Sequence, residues 1–177
     1  MFCGINPGQL SATLGHHFAH PTNHFWKCLH ASQLTDRLLN PREDHTLPAD
    51  YNIGLTNLVS RPSASAAELA NNEFTAGVPA LLQKIVERRP QIVCFVGKAI
   101  WESFIRAVAP AGPAPSRAKA KRTNSQKSKP EPFVYDLQPY KIVHTASDAV
   151  VRETLFSVVV STSGLVAGYQ VCFTYSH

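Results

Sequence analysis

The chain has 177 residues, 44% of them hydrophobic, and 17 Lys and Arg against 12 Asp and Glu, for a net charge of +5 and a pI near 9.2. That length supports one domain around one core, 1–177, and is short for two. No run of about 18 apolar residues occurs, which excludes a helical membrane span. Met1-Phe2-Cys3-Gly4 lacks the charged-then-apolar order of a secretory leader, so a soluble intracellular protein with no membrane partner is expected.

Cys3, Cys28, Cys94 and Cys172 are widely spaced without a C-x-x-C pair. Free thiols are expected, with no structural metal and no cofactor. The positive balance favours a polyanionic partner through counterion release. Much of it sits in Arg117, Lys119, Lys121, Arg122, Lys127 and Lys129, interleaved with Ala, Pro and Ser. Such a block reads as a solvated linker, a nuclear address or a DNA-tethering arm.

In chain order, short apolar runs alternate with stretches of helical period, the pattern of a three-layer α/β sandwich with a central, mostly parallel sheet flanked by helices. The first run is Phe2 to Ile5. Next, Thr22 or Asn23 is expected to cap a helix carrying Phe25, Trp26 and Leu29 on one face. A second run spans Ile53 to Val59. Ala66 to Arg89 reads as a helix with Leu81, Leu82, Ile85 and Val86 in the core, stopped at Pro90. After a third run, Ile92 to Val96, Gly97 opens a helix that buries Ile100, Trp101, Phe104 and Ile105 and ends near Pro110. Residues 109–132, rich in Pro, Ala and Lys, form a basic insertion expected to be disordered or extended. Tyr135 to Val143 reads as a further strand or hairpin before the last run, Phe156 to Val160.

In a doubly wound sheet, ligands bind beyond the carboxyl ends of the strands. The loops there are Gly4-Ile5-Asn6-Pro7-Gly8, Thr56 to Pro62, and Ser161-Thr162-Ser163-Gly164-Leu165. The G-I-N-P-G block is followed by Gly15-His16-His17-Phe18 and Asn23-His24-Phe25-Trp26-Lys27. Asp44-His45-Thr46-Leu47-Pro48, Gly54-Leu55-Thr56-Asn57 and Gly97-Lys98 come after them. This ordered series resembles the mismatch-specific uracil/thymine DNA glycosylases of the uracil-DNA glycosylase superfamily, over about residues 2 to 108 and again from Ser157.

The resemblance implies a base-excision enzyme that flips uracil or thymine mispaired with guanine out of duplex DNA and cuts its N-glycosidic bond. Asn6 matches the asparagine that positions the attacking water, and Phe18 the aromatic on which the extruded pyrimidine stacks. Asn57 and His17 match base-contacting and pocket-lining positions, and the amides around Ile5 and Phe18 would read the uracil carbonyls. Ser161, Ser163 and Gly164 match the loop that enters DNA, with Leu165 as the intercalating wedge. The partner implied is double-stranded DNA with G·U or G·T mismatches, then downstream abasic-site repair enzymes; a monomer in the nucleus is expected.

Chemistry supplies an independent check. Glycosidases commonly use paired carboxylates, yet Met1 to Phe18 contains no Asp or Glu. An amide can orient water but cannot act as a strong base, so the reaction must be driven by the leaving group. Pyrimidines that leave as stable anions are favoured, such as uracil, 5-substituted uracils and etheno-cytosine. Thymine is poorer, because its methyl must fit beside Ser11 and the His16-His17 turn.

Other readings attach to the same residues. Asn6 in Asn-Pro-Gly could cap a turn, Phe18 could be core, and Leu165 could be an ordinary buried leucine. His16, His20 and His24 share a metal-ligand spacing that Gly15 and Pro21 interrupt. Trp26 and Trp101 read as core, Lys27 and Lys98 as solvated helix faces. Relative to the family the chain reads as abbreviated at both ends, so the alternative is a catalytically weak or inactive mismatch-DNA binder. A phosphohydrolase is disfavoured by the absence of a P-loop, a G-x-G-x-x-G or a clustered acidic set.

Overall fold

The structure is a computed structural model that describes residues 1–108, 133–145 and 150–164. In chain order it runs β1 (Phe2–Gly4), α1 (Gln9–Leu14), α2 (Phe25–Ala31), α3 (Leu47–Tyr51), β2 (Leu55–Asn57), α4 (Asn71–Arg88), β3 (Ile92–Val96), α5 (Lys98–Val108), β4 (Leu137–Val143) and β5 (Glu153–Val159), with 3-10 turns at Pro41–Thr46 and Ala66–Glu68. The expected basic insertion, Leu165 and Cys172 lie outside the described residues.

The five strands form one sheet in the order β2-β1-β3-β5-β4. The β1–β2, β1–β3 and β3–β5 pairs are parallel, and β4 joins β5 antiparallel at the edge. The apolar runs reflect cover on both faces of the sheet. Val93, Phe95, Phe156 and Val158 turn to the face where α4 and α5 bring Leu81, Ile85, Trp101 and Phe104. Val96 turns to the other, with Phe25, Trp26, Leu29 and Leu47. The α/β sandwich read from the sequence is thus the observed architecture. Pro139 lies in edge strand β4, where register slips between Leu137 and Lys141 and a missing amide proton is tolerated.

Local chemistry shifts several boundaries. Helix α2 is capped by His24, which makes no side-chain cap bond, in place of Thr22 or Asn23; the Asn23 side-chain Oδ1 instead accepts from the Phe25 amide at 2.9 Å. The helix expected from Ala66 begins at Asn71. Ser65 draws residues 66–68 into a 3-10 turn, and the Glu73 carboxylate accepts from the Ala70 amide at 3.0 Å. Val86, assigned to the core, is 51% exposed, since α4 turns Leu81 and Ile85 inward and Val86 lies beyond that stripe. Cys3, Cys28 and Cys94 are free. Among the described residues no helix is long and apolar enough to cross a membrane, and no His, Cys, Asp and Glu cluster could hold a metal.

Helix α4 lies so close to the exit of β2 that a Cβ on Gly77 would fall 2.1 Å from the Leu58 carbonyl oxygen. Gly77→Ala would raise intrinsic helix propensity, yet this approach makes it destabilising. Thermal unfolding is expected to show a lower midpoint, with a loss of about 1–3 kcal/mol typical of overpacking; a raised midpoint would contradict the contact.

Candidate active site

Strand β1 ends between β2 and β3, and the chain leaves all three at the same edge of the sheet. A cavity of about 960 Å³ opens there, in the range of small-molecule sites. Its wall holds Ile5, Asn6 and Ser11 from the first loop and helix, His17 and Phe18 from the following turn, Asn57 from β2, and Ser161, Ser163 and Gly164 from the loop after β5. The described site residues read from the sequence are therefore gathered in one place.

Asn6 is held by its nitrogen. Nδ2 donates to the Arg61 carbonyl and to Ser63 Oγ, both at 2.8 Å. A main-chain carbonyl only accepts, so this contact fixes which end of the amide is which. Oδ1 has no protein partner among the described residues and stands on the cavity wall as an open acceptor. Ser63 is buried and passes its own proton to the Ser65 carbonyl at 2.8 Å, so its lone pairs face the Asn6 amide.

Phe18 sits in the left-handed region at φ 52°, uncommon for an aromatic residue, and its neighbours hold it there. Asp44 accepts from the His17 amide at 2.9 Å and meets His16 Nδ1 at 3.1 Å. Trp26 Nε1 donates to the His17 carbonyl at 3.2 Å, and Ser11 Oγ accepts from the Ala19 amide at 3.0 Å. The Phe18 ring stacks on Phe25 at 4.0 Å between centroids and 15° between planes. A second, smaller cavity of about 300 Å³ shares His16, Phe18, His20 and Asn23 with the first and is also lined by such residues as Leu14, Trp26 and Leu39.

The floor between Phe18 and Asn57 belongs to Gly4. The amides of Ile5 and Phe18 have no hydrogen-bond partner among the described residues, and neither has the Asn57 side chain. Across the cavity, the Thr162 carbonyl accepts from the His24 amide at 2.9 Å, seating the last loop against the turn before α2. Gly164 is in contact there too; a Cβ on it would lie 2.6 Å from the Thr22 carbonyl oxygen. Lys98, read as solvated, lies on the cavity wall, 3.4 Å from Glu102 and 5.0 Å from the centre of the Phe133 ring.

The electrostatics of the wall are uniform in one respect: among the described residues lining the cavity, none is Asp or Glu. Burial lowers the pKa of His17 below its ordinary value, and nearby Asp44 opposes the shift without reversing it. His17 is therefore neutral at pH 7, with a single ring N–H to offer. Sequence reasoning assigned no role to Asp44, Arg61 or Ser63. Asp44 stood inside one of the recognised blocks, whereas Arg61 and Ser63 carried no signal beyond their place after β2.

The family profile for the uracil DNA glycosylase superfamily matches residues 1–165. The fold is α/β, and the cavity lies beyond the carboxyl ends of its parallel strands. The chain belongs to the uracil DNA glycosylase superfamily, whose members are N-glycosyl hydrolases acting on DNA.

The His17 shift has a measurable sign. Its folded pKa lies below the unfolded value, so the unfolded chain takes up the proton first as pH falls. This contribution to stability is fully present above about pH 6.5 and is lost as pH drops through the folded pKa. NMR titration of the imidazole is expected to give a midpoint below that of an exposed histidine, and His17→Gln should flatten part of the stability profile between about pH 7 and 5. A midpoint at or above the ordinary value would show that Asp44 dominates.

Proposed function

We propose that this protein is a mismatch-directed uracil/thymine DNA glycosylase of base excision repair. It extrudes uracil or thymine mispaired with guanine, hydrolyses the bond from base to deoxyribose and leaves an abasic site. The observation that carries the reading is Asn6: an amide fixed through its nitrogen, with an open acceptor on the wall of a cavity that has no carboxylate.

The chemistry follows from what such a wall can do. The C1′–N1 bond breaks with its electron pair leaving on the base, and the sugar gains oxocarbenium character. The unpartnered Ile5 and Phe18 amides and the N–H of neutral His17 are donors suited to the charge developing on the base oxygens. Water held by Asn6 Oδ1 then adds to C1′; its released proton goes to solvent and the departed base is reprotonated. With no carboxylate to draw the proton from water, the reaction depends on how stable the leaving anion is.

Mispaired bases are less costly to extrude, which gives part of the selectivity to the DNA itself. Phe18 offers a stacking surface for the extruded ring, and the small residues Ser161, Ser163 and Gly164 let the backbone come near phosphates. Leu165 is the proposed wedge in the vacated stack. Ser11 and the His16-His17 turn border the place of a 5-substituent, which makes thymine the slower substrate. The basic residues between Arg117 and Lys129 support a nuclear location on composition.

The test is single-turnover cleavage of end-labelled duplex carrying one G·U pair, read after alkaline treatment. The parent chain should cleave, with G·T slower than G·U, and Asn6→Ala should slow cleavage by on the order of 10²-fold or more. A parental rate in Asn6→Ala would remove the amide from the mechanism. Retardation of mismatched DNA without any base release would establish a binding-only protein instead.

A further inference from the structure

We infer that Arg61 and Glu73, which stand behind the cavity wall and do not line it, are positioning residues for the Asn6 amide. The inference rests on the reading of Asn6 as the residue that orients water. One of the two acceptors that fix the Asn6 nitrogen is the main-chain carbonyl of Arg61, so the amide can be no better placed than that carbonyl. Residues 60–62 are exposed, and no buried side chain of their own anchors them.

Main-chain bonds hold the flanking Val59 to Ile5 and Ser63 to Pro7, and between them Arg61 is anchored by its guanidinium. Nε donates to Glu73 Oε2 at 2.7 Å and Nη2 to Glu73 Oε1 at 2.9 Å, the forked geometry that fixes direction as well as distance. Nη2 also donates to the Glu68 carbonyl at 3.0 Å, and Nη1 reaches the Pro62 carbonyl at 3.5 Å. Glu73 is itself tied to the first turn of α4, where Oε1 accepts from the Ala70 amide at 3.0 Å. The series runs from the α4 N-terminus through the ion pair to the Arg61 backbone and then to Asn6.

Two alternatives are less well supported by the same geometry. Every guanidinium nitrogen already has a protein acceptor, so Arg61 presents no free fork to a DNA phosphate. The pair is also partly solvent-exposed, 49% at Arg61 and 27% at Glu73, and exposed ion pairs add little to global stability. Arg61 beside Glu73 holds that carboxyl down to about 2, so the pair stays intact across any ordinary assay pH.

The experiment is a double-mutant cycle on the single-turnover rate with G·U duplex, using the full chain. Arg61→Ala and Glu73→Gln should each slow cleavage by about 10–100-fold, with DNA affinity and melting temperature near parental. Arg61→Lys, which keeps the charge and loses the fork, should fall between. In an Asn6→Ala background Arg61→Ala should slow the reaction no further, because the group it positions is gone.

Equal slowing in both backgrounds would overturn the inference in favour of a general structural role. Weaker DNA binding at an unchanged rate would overturn it in favour of a phosphate contact. If Asn6→Ala alone keeps the parental rate, the water-orienting reading fails and takes this inference with it, an outcome distinct from the other two. A second readout needs no turnover: the Asn6 side-chain amide resonance, assigned by its loss in Asn6→Ala, should shift or broaden in Glu73→Gln. An unchanged resonance would overturn the coupling.

Discussion

A Cβ on Gly4 would lie 2.7 Å from Asn57 Oδ1 and 3.2 Å from Phe18 Cζ, and the rest of the site is arranged around that absence. Gly4 ends β1, between β2 and β3, and is paired in register with Asn57. Because it carries no side chain, an aromatic ring from one loop and an amide from another can close over the same point of the sheet. The Gly4 and Ile5 carbonyls then accept from Leu58 and Val59 at 2.9 and 2.8 Å, so the first two loops leave the sheet side by side. Asn6 comes next, already beside the segment that binds its amide. Here glycine is required by close approach and not by its φ, since Gly4 is not among the residues at positive φ.

Phe18 shows the complementary case, in which a conformation is held against local preference. A left-handed aromatic residue costs roughly 1–2 kcal/mol, and the turn around it is tied by Asp44, Trp26 and Ser11. These three bonds, at about 0.5–1.5 kcal/mol net each, together offset that cost. The Phe25 stack adds a further restraint from α2. A rigid aromatic surface in place before the ligand arrives spends less binding energy on ordering than a mobile one. The turn thus belongs with the strained elements that recur at binding sites and are held by the structure around them.

Much of this order was legible in the sequence for a plain reason: a central strand covered on both faces, as β3 is, reads as an unbroken apolar run, and β1 and β5 beside it carry shorter ones. That is how β1, β3 and β5 and the later pair of helices could be read. What periodicity does not report was missed. Helix α1, closed by Gly15 at φ 74°, is too short to show a repeat, and α3 starts at a proline-bearing turn. Val86 was placed inside because it is apolar, although its direction depends on which stripe of α4 faces the sheet. The residues that line the cavity stand largely in motifs that were readable in the sequence. Asp44, Ser63 and Arg61 were not, because their roles lie in a hydrogen-bond partner 27 or more residues away in sequence.

The distribution of negative charge joins these observations. Asp44 and Glu73 stand just behind the walls, and each has both carboxylate oxygens occupied: Asp44 by His16 and the His17 amide, Glu73 by Arg61 and the Ala70 amide. Their charge therefore organises donors and turns and is not presented to the ligand. An anionic carboxylate on the wall would repel both the phosphates of DNA and a base that gathers negative charge as it leaves. A wall that presents amides, hydroxyls, the neutral His17 and the Lys98 ammonium avoids that repulsion, at the expense of a strong base for water. On the proposed function, the same feature that suits the cavity to a polyanion and an anionic leaving group also restricts the chemistry to bonds that break largely before water attacks.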